Sequence, residues 1–98
     1  MIVYEVRNTV RLDLCERYEE YMRGRHIPDV LAAGHFISSS FETLAEGSYR
    51  ARYIAPDRDT LDRYLTESSP ALRSDFQAHF PTGIDASREQ WTVLKQFA

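Results

Sequence analysis

The sequence predicts an α+β fold whose elements follow the order β-α-β-β-α-β. Three observations lead to this order. Apolar and charged residues alternate near the N-terminus and again around residue 50, apolar residues recur at helical spacing in two longer stretches, and turn-forming residues separate these segments. This order predicts an antiparallel four-stranded sheet with both helices packed on one face.

The strands are predicted from period-two alternation. Residues 2–10 alternate between apolar and charged side chains, which indicates a first strand with one apolar and one charged face. Residues 35–44 predict a second strand. A glycine turn joins it to a third strand, in which Tyr49 and Tyr53 alternate with arginines. Residues 85–97 predict the last strand.

The first helix is predicted at about residues 14–26. Asp13 followed three residues later by Glu16 fits the arrangement in which two side chains cap the start of a helix. Pro28 disfavours helical geometry at the preceding Ile27, so the helix is expected to bend or stop there and to restart with the proline in its first turn.

The second helical region is predicted to begin at Asp57, and its apolar stripe runs to Phe80. Ser69 followed by Pro70 has the form of a second N-cap with proline in the first turn. Both helices are therefore expected to be kinked.

Residues 1–98 are long enough for a single domain, and the charged face of the sheet indicates how that domain assembles. Glu5 and Arg7 on the first strand share a face with Arg50 and Arg52 on the third, on the side away from the helices. Solvent contact explains such a face, and so does pairing with a second copy. We expect a homodimer through this open face that closes an eight-stranded α+β barrel.

Composition and charge exclude several classes of function. The chain has 12 basic and 15 acidic residues and a net charge of −3, so it lacks the positive surface expected for nucleic acid or an anionic membrane. No run of 18 apolar residues predicts a membrane span, and the first residues lack a signal-peptide pattern. Cys15 is the single cysteine, which favours the reducing cytoplasm.

The sequence resembles a family of small bacterial proteins of unknown function with a ferredoxin-like, dimeric α+β barrel fold. The resemblance extends over nearly the whole chain, and its landmarks are Ile2-Val3-Tyr4-Glu5-Val6, His26-Ile27-Pro28, Leu31-Ala32-Ala33-Gly34-His35-Phe36 and Ser69-Pro70-Ala71-Leu72-Arg73. More distantly, the fold is similar to that of antibiotic-biosynthesis-type monooxygenases and muconolactone isomerases. That similarity implies a pocket between helices and sheet and, in several cases, no metal or cofactor.

His26 is the candidate catalytic residue because an imidazole is the usual general acid or base near neutral pH. If it is functional, its expected partners on the helix-facing side of the sheet are Tyr4, Ser38, Tyr53 and Trp91. The alternative is that His26 interacts with the carbonyl groups at a helix end, and that the tyrosines are core residues.

Two function hypotheses remain open. The three histidines lack the spacing of a metal site and the glycines form no phosphate loop, so no metal or cofactor is expected. The chain is then either a small-molecule-binding or structural module, or a cofactor-free enzyme. The enzyme would be monooxygenase- or isomerase-like, acting on a small, partly aromatic molecule with His26 as acid or base.

Overall fold

The computed structural model describes all residues from Met1 to Ala98 and has the predicted element order β-α-β-β-α-β. Its four strands form one antiparallel sheet in the order β2-β3-β1-β4. The strands are β1 (Ile2–Val10), β2 (Ser38–Ala45), β3 (Ser48–Ala55) and β4 (Ile84–Thr92). The predicted α+β class and the ferredoxin-like fold are confirmed.

Two connections, β1 to β2 and β3 to β4, are helical, and each consists of several helical segments. The first helical region contains a 3-10 turn (Leu12–Leu14), helix α1 (Cys15–Tyr21), a π-helical turn (Met22–His26) and helix α2 (Ile27–Ala32). The second helical region contains α3 (Arg58–Arg63), a π-helical turn (Tyr64–Ser68) and α4 (Ser69–His79). None of these helices combines the length and apolar character needed to cross a membrane.

The two π-helical turns each end two residues before a proline. Proline has no N–H to donate, and in an α-helix its ring would meet the carbonyl four residues earlier. Here the N–H of Ile27, just before Pro28, donates to the carbonyl of Met22, five residues back, so the helix widens instead of ending. The helix therefore does not stop at Ile27, which keeps helical angles (φ −65°, ψ −44°), and the interruption expected before Pro28 takes the form of a π-helical turn.

The second helical region has the same π-helical hydrogen bond before its proline. There the N–H of Ser69, just before Pro70, donates to the carbonyl of Tyr64. The second helical region begins at the predicted position, and there the Asp57 carboxylate accepts the N–H of Thr60 at 2.8 Å. Neither predicted cap forms. Ser69 is the first residue of α4 and not its N-cap. Asp13 makes no capping hydrogen bond. Asp13 instead forms an exposed ion pair with Arg11 at 2.6 Å.

The core lies between the helices and one face of the sheet. The even-numbered residues of β1 and the odd-numbered residues of β3 point towards the helices, as their register requires. Tyr18 is fully buried against them, and burial raises the pKa of its hydroxyl to about 12. That hydroxyl accepts a hydrogen bond of 2.7 Å from the buried amide of Asn8, so this polar pair is satisfied within the core.

The opposite face of the sheet carries a charged network, as the sequence predicts. Glu5 is only 4% exposed, although no helix covers it. It accepts hydrogen bonds from Arg7 (2.7 Å) and Arg50 (3.4 Å), and Arg52 lies at 4.0 Å. Arg50 also pairs with Glu42 on β2. Burial of Glu5 is therefore due to arginine side chains lying over it.

Two strands are shorter than predicted. β2 begins at Ser38 and not at residue 35, because Gly34 adopts a positive φ of 85° and the chain turns before it joins the sheet. β4 ends at Thr92 and not at residue 97. Its last backbone contact to β1 is the hydrogen bond of 3.0 Å from the Val93 N–H to the Met1 carbonyl, beyond which β1 offers no further partner.

Replacing Gly47 by alanine is expected to destabilise the fold more than replacing Gly34. Both residues have positive φ, which costs an alanine about 1–2 kcal/mol. A Cβ at Gly47 would in addition lie 2.9 Å from the Val10 carbonyl oxygen, whereas a Cβ at Gly34 meets nothing within 4 Å. We expect Gly47→Ala to cost about 1 kcal/mol or more beyond Gly34→Ala in urea unfolding. Equal losses of stability in the two variants would contradict the close approach of Gly47 to the Val10 backbone.

Candidate functional site

A cavity of about 350 Å³ lies between the two helical regions and the sheet. On the sheet side it is lined mainly by Tyr4, Val6, Ala51, Tyr53, Ala86 and Arg88. On the helix side it is lined mainly by Met22, His26, Tyr64, Leu72, Arg73 and Phe76. Because no helix covers β4, the lining residues Ala86 and Arg88 remain exposed and form the open side of the cavity.

The π-helical turns position the helix-side residues. Met22 and His26 belong to the first turn, and Tyr64 begins the second, so both widened segments contribute to the lining. A π-helical turn adds one residue to a helical circuit and changes the direction of the side chains that follow, and such turns are frequent at functional sites. The two prolines therefore shape the wall of the cavity.

His26 lies at the cavity in a largely apolar setting. Its ring stacks against Tyr21, with centroids 5.8 Å apart, and meets the edge of Phe76 at 5.5 Å. Its Nδ1 is buried and has no hydrogen-bond partner. Burial lowers the pKa of His26 below 6.5, Arg88 lowers it further, and Asp75 and Asp29 only partly oppose this shift. The imidazole is therefore neutral at pH 7 and able to accept a proton.

Asp75 fixes the aromatic ring on which His26 rests. Its carboxylate accepts hydrogen bonds from the Tyr21 hydroxyl at 2.7 Å and from Arg25 at 2.7 and 3.0 Å. These bonds, with Tyr21 contributing most, hold the pKa of Asp75 below its usual value. The carboxylate is thus committed to Tyr21 and Arg25, and it does not line the cavity.

The floor of the cavity is aromatic. The Tyr4 ring lies 6.2 Å from that of Tyr53 and 6.1 Å from that of Tyr64, and Phe36 packs 5.1 Å from Tyr53 and 4.7 Å from Tyr64. Burial raises the pKa of Tyr64 to about 12 and that of Tyr53 further. These hydroxyls stay protonated at neutral pH and are available as hydrogen-bond donors. The floor suits a flat, partly aromatic molecule.

Of the five site residues predicted from the sequence, the structure brings three together. His26, Tyr4 and Tyr53 all line the cavity. Ser38 and Trp91 do not, because their antiparallel partners Ile54 and Val3 lie on the open face of the sheet, away from the helices. The predicted position of these two residues on the helix-facing side is wrong.

The physical reason is register. Side chains alternate along a strand, so an error of one residue moves a side chain to the other face. In β2 the serine that faces the helices is Ser39, opposite Tyr53. In β4 nearly every residue is exposed, so the strand has no apolar face from which its orientation could be read. Trp91 is accordingly 59% exposed on the open face.

The other two histidines lie outside the cavity lining. His35 Nε2 is 3.2 Å from the Ser68 hydroxyl, and His79 Nδ1 is 2.9 Å from the Asp75 carbonyl oxygen, an interaction within one helix. No three side chains of His, Cys, Asp or Glu are grouped so that they could hold a metal ion.

Sequence reasoning did not identify Arg73 and Arg88 as residues of the site. Arg73 lies on α4, and its Nη2 donates to the Tyr4 hydroxyl at 3.3 Å. Arg88 lies on β4 opposite Val6, which also lines the cavity. The even-numbered alternation of β1, carried across to β4 by antiparallel pairing, would have indicated Arg88 once the register was known.

The fold and the cavity define the class of protein. It is a ferredoxin-like α+β protein with a pocket between helices and sheet. Residues 1–94 match the family described as Domain of unknown function (DUF4286), so the chain belongs to this family. The resemblance to a family of unknown function with a ferredoxin-like fold is confirmed. Comparison with curated proteins finds no match.

Solved structures share the fold at low sequence identity. SnoaB from Streptomyces nogalater, described as a cofactor-independent oxygenase, aligns with a TM-score of 0.70 and 16% identity over 97% of this chain and 94% of its own. An ethyl tert-butyl ether D (EthD) family protein from Bacillus halodurans gives 0.69 and 10%, over 91% and 97%. A candidate antibiotic biosynthesis monooxygenase from Nitrosomonas europaea gives 0.68 and 13%, over 97% and 100%.

His26 is expected to titrate below pH 6.5 in the folded protein. Because the unfolded chain binds this proton more readily, the contribution of neutral His26 to stability is complete above about pH 6.5 and is lost as the pH falls below it. NMR titration of the ring protons measures the pKa. Unfolding between about pH 7.5 and 5.5 should show a weaker pH dependence in His26→Gln than in wild type or His35→Gln. A His26 pKa at or above 6.5 would contradict this account.

Proposed function

We propose that the cavity binds a small, partly aromatic molecule and that His26 transfers a proton to or from it, with no cofactor. The observation that supports this most directly is that His26, whose pKa is lowered by burial, lines a cavity of about 350 Å³ between helices and sheet. Its Nδ1 is sealed by packing, so Nε2 is the ring nitrogen left to exchange a proton with a bound molecule.

The proposed step begins with the neutral imidazole. His26 removes a proton from an acidic C–H or O–H of the bound molecule, and the resulting negative charge is spread over the aromatic system. The protonated hydroxyls of Tyr53 and Tyr64 donate hydrogen bonds to an oxygen on which charge develops. Apolar walls strengthen these interactions because little water competes with them.

Two outcomes of the proton transfer are chemically balanced. In an isomerase-like reaction, His26 returns the proton to another atom of the same molecule. In an oxygenase-like reaction, the deprotonated carbon of a CH₂ group transfers electrons to O₂, one oxygen atom becomes a C=O, and the other leaves as water. The fold shared with SnoaB, described as a cofactor-independent oxygenase, supports the second outcome.

The second candidate is a small-molecule-binding module without catalysis. A catalytic histidine is usually oriented by a hydrogen bond from a third group, and Nδ1 of His26 has none. This observation favours binding alone, and the activity measurement below separates the two candidates.

We also infer that residues 1–98 function as one domain within a homodimer, joined through the open sheet face. Trp91 is a large exposed side chain on this face, and the network around Glu5 gives it a fixed charged surface. Face-to-face sheets would bury both and form the proposed eight-stranded barrel. A cytoplasmic location is supported by the single, buried, unpaired Cys15.

Anthrone, an aromatic ketone with an acidic CH₂ group, is a suitable test substrate. We expect wild type to accelerate its oxidation to anthraquinone, measured as oxygen uptake and quinone absorbance. His26→Gln is expected to reduce the rate about 10²-fold or more, the usual contribution of a general base. The control His35→Gln, outside the cavity, is expected to keep the wild-type rate.

The other outcomes are informative. Exchange of the CH₂ hydrogens with D₂O without oxygen uptake, lost in His26→Gln, would favour the isomerase-like step. Binding of anthrone with neither exchange nor oxidation would favour the binding module. Oxidation that is unchanged in His26→Gln would exclude this residue as the base.

The homodimer is tested by light scattering. We expect a mass of twice the 11.4 kDa of one chain at micromolar concentration. Trp91→Glu places a charge beside Glu89 on the open face and is expected to yield monomers, whereas Arg63→Glu on the exposed side of α3 is expected to leave the dimer intact. A monomeric wild type would contradict the barrel.

A further inference from the structure

The cavity has a charge opposite in sign to that of the chain. The protein has 15 acidic and 12 basic residues, yet no Asp or Glu lines the cavity. The lining residues that carry a full charge at neutral pH are Arg73 and Arg88. A cleft lined by one sign of charge, with apolar walls, attracts ligands of the other sign.

These two arginines also differ from most others in the chain in having no acidic partner. Arginines elsewhere are held by carboxylates, as Arg25 is by Asp75 and Arg50 by Glu42. Arg73 and Arg88 form no ion pair. The only hydrogen bond of the Arg73 side chain is the one from Nη2 to the Tyr4 hydroxyl at 3.3 Å, which leaves its other N–H groups free.

The two guanidinium groups come from opposite walls of the cavity. Arg73 is on α4 and is held beside the aromatic floor by its bond to Tyr4. Arg88 is on β4 at the open side. Burial raises the pKa of Tyr64, and the charges of Arg73 and Arg88 oppose that rise. Burial lowers the pKa of His26, and the charge of Arg88 adds to that lowering. Both positive charges therefore act within the cavity in which the ligand would bind.

We propose that the natural ligand is a small aromatic molecule bearing an anionic oxygen group of the carboxylate type, which Arg73 and Arg88 bind together. This inference rests on the proposed function and specifies its substrate class. The forked guanidinium group matches the two oxygens of such an anion, and the aromatic ring of the ligand packs between the tyrosine floor and Phe76. The anionic group then lies towards the open side, and the ring lies near His26.

A pair of probes with the same aromatic skeleton tests the inference. 8-Anilinonaphthalene-1-sulfonate carries an anionic oxygen group, and N-phenyl-1-naphthylamine lacks it; fluorescence reports the binding of both. We expect the anionic probe to bind wild type about tenfold more tightly than the neutral one. Arg73→Gln and Arg88→Gln are each expected to weaken only the anionic probe, by about tenfold. Arg63→Gln, an arginine outside the cavity, is expected to change neither.

A cavity-filling variant separates two claims: that the cavity binds a ligand, and that this ligand is an anion. Ala86 is exposed and lines the cavity, so Ala86→Trp is expected to block both probes without disturbing the core. If both probes bind equally and the arginine variants change nothing, the anionic ligand class is wrong while the binding cavity stands. If neither probe binds, or if both bind Ala86→Trp as they bind wild type, the cavity itself is not the binding site and both proposals fail.

Discussion

The missing N–H of two prolines is the constraint on which the shape of this molecule depends. Pro28 and Pro70 each interrupt a helix that has to remain continuous to cover the sheet. The chain keeps the helix by passing the preceding N–H to a carbonyl five residues back, which produces a π-helical turn in each helical region. Those turns carry His26 and Tyr64 into the wall of the cavity. The same local adjustment thus preserves the fold and builds the site.

Side chains are buried in different ways on the two faces of the sheet. On the helix side, aromatic residues of β1 and β3 pack against Tyr18, Leu61 and other helical residues in a continuous core. On the open side, Glu5 is removed from water by arginine side chains and not by a hydrophobic layer. A face with a satisfied charge network beside an exposed tryptophan differs from an ordinary solvated face, and it is the basis for the proposed dimer.

Burial and charge act together at the cavity. The apolar setting keeps His26 neutral, and the positive charge of Arg88 acts in the same direction. Asp75 lies near enough to oppose this effect, but Tyr21 and Arg25 occupy its carboxylate. The result is a neutral imidazole that lines the same cavity as two arginines without acidic partners and two protonated tyrosine hydroxyls. This arrangement is suited to removing a proton from a molecule whose negative charge is then stabilised in place, as the proposed function requires.

The sequence by itself determined the element order, β1, the third strand and the charged open face, because each depends on local periodicity. It also indicated His26 as a candidate, because that depends on the chemistry of one residue. Tertiary structure decided what local pattern does not contain. The helix continues through Ile27 because packing on the sheet outweighs the preference of a residue before proline. Ser38 and Trp91 face away from the cavity because strand register, and not composition, sets the direction of a side chain. Arg73 on α4 and Arg88 on β4 line one cavity only because α4 packs over β1 and β4 pairs with β1.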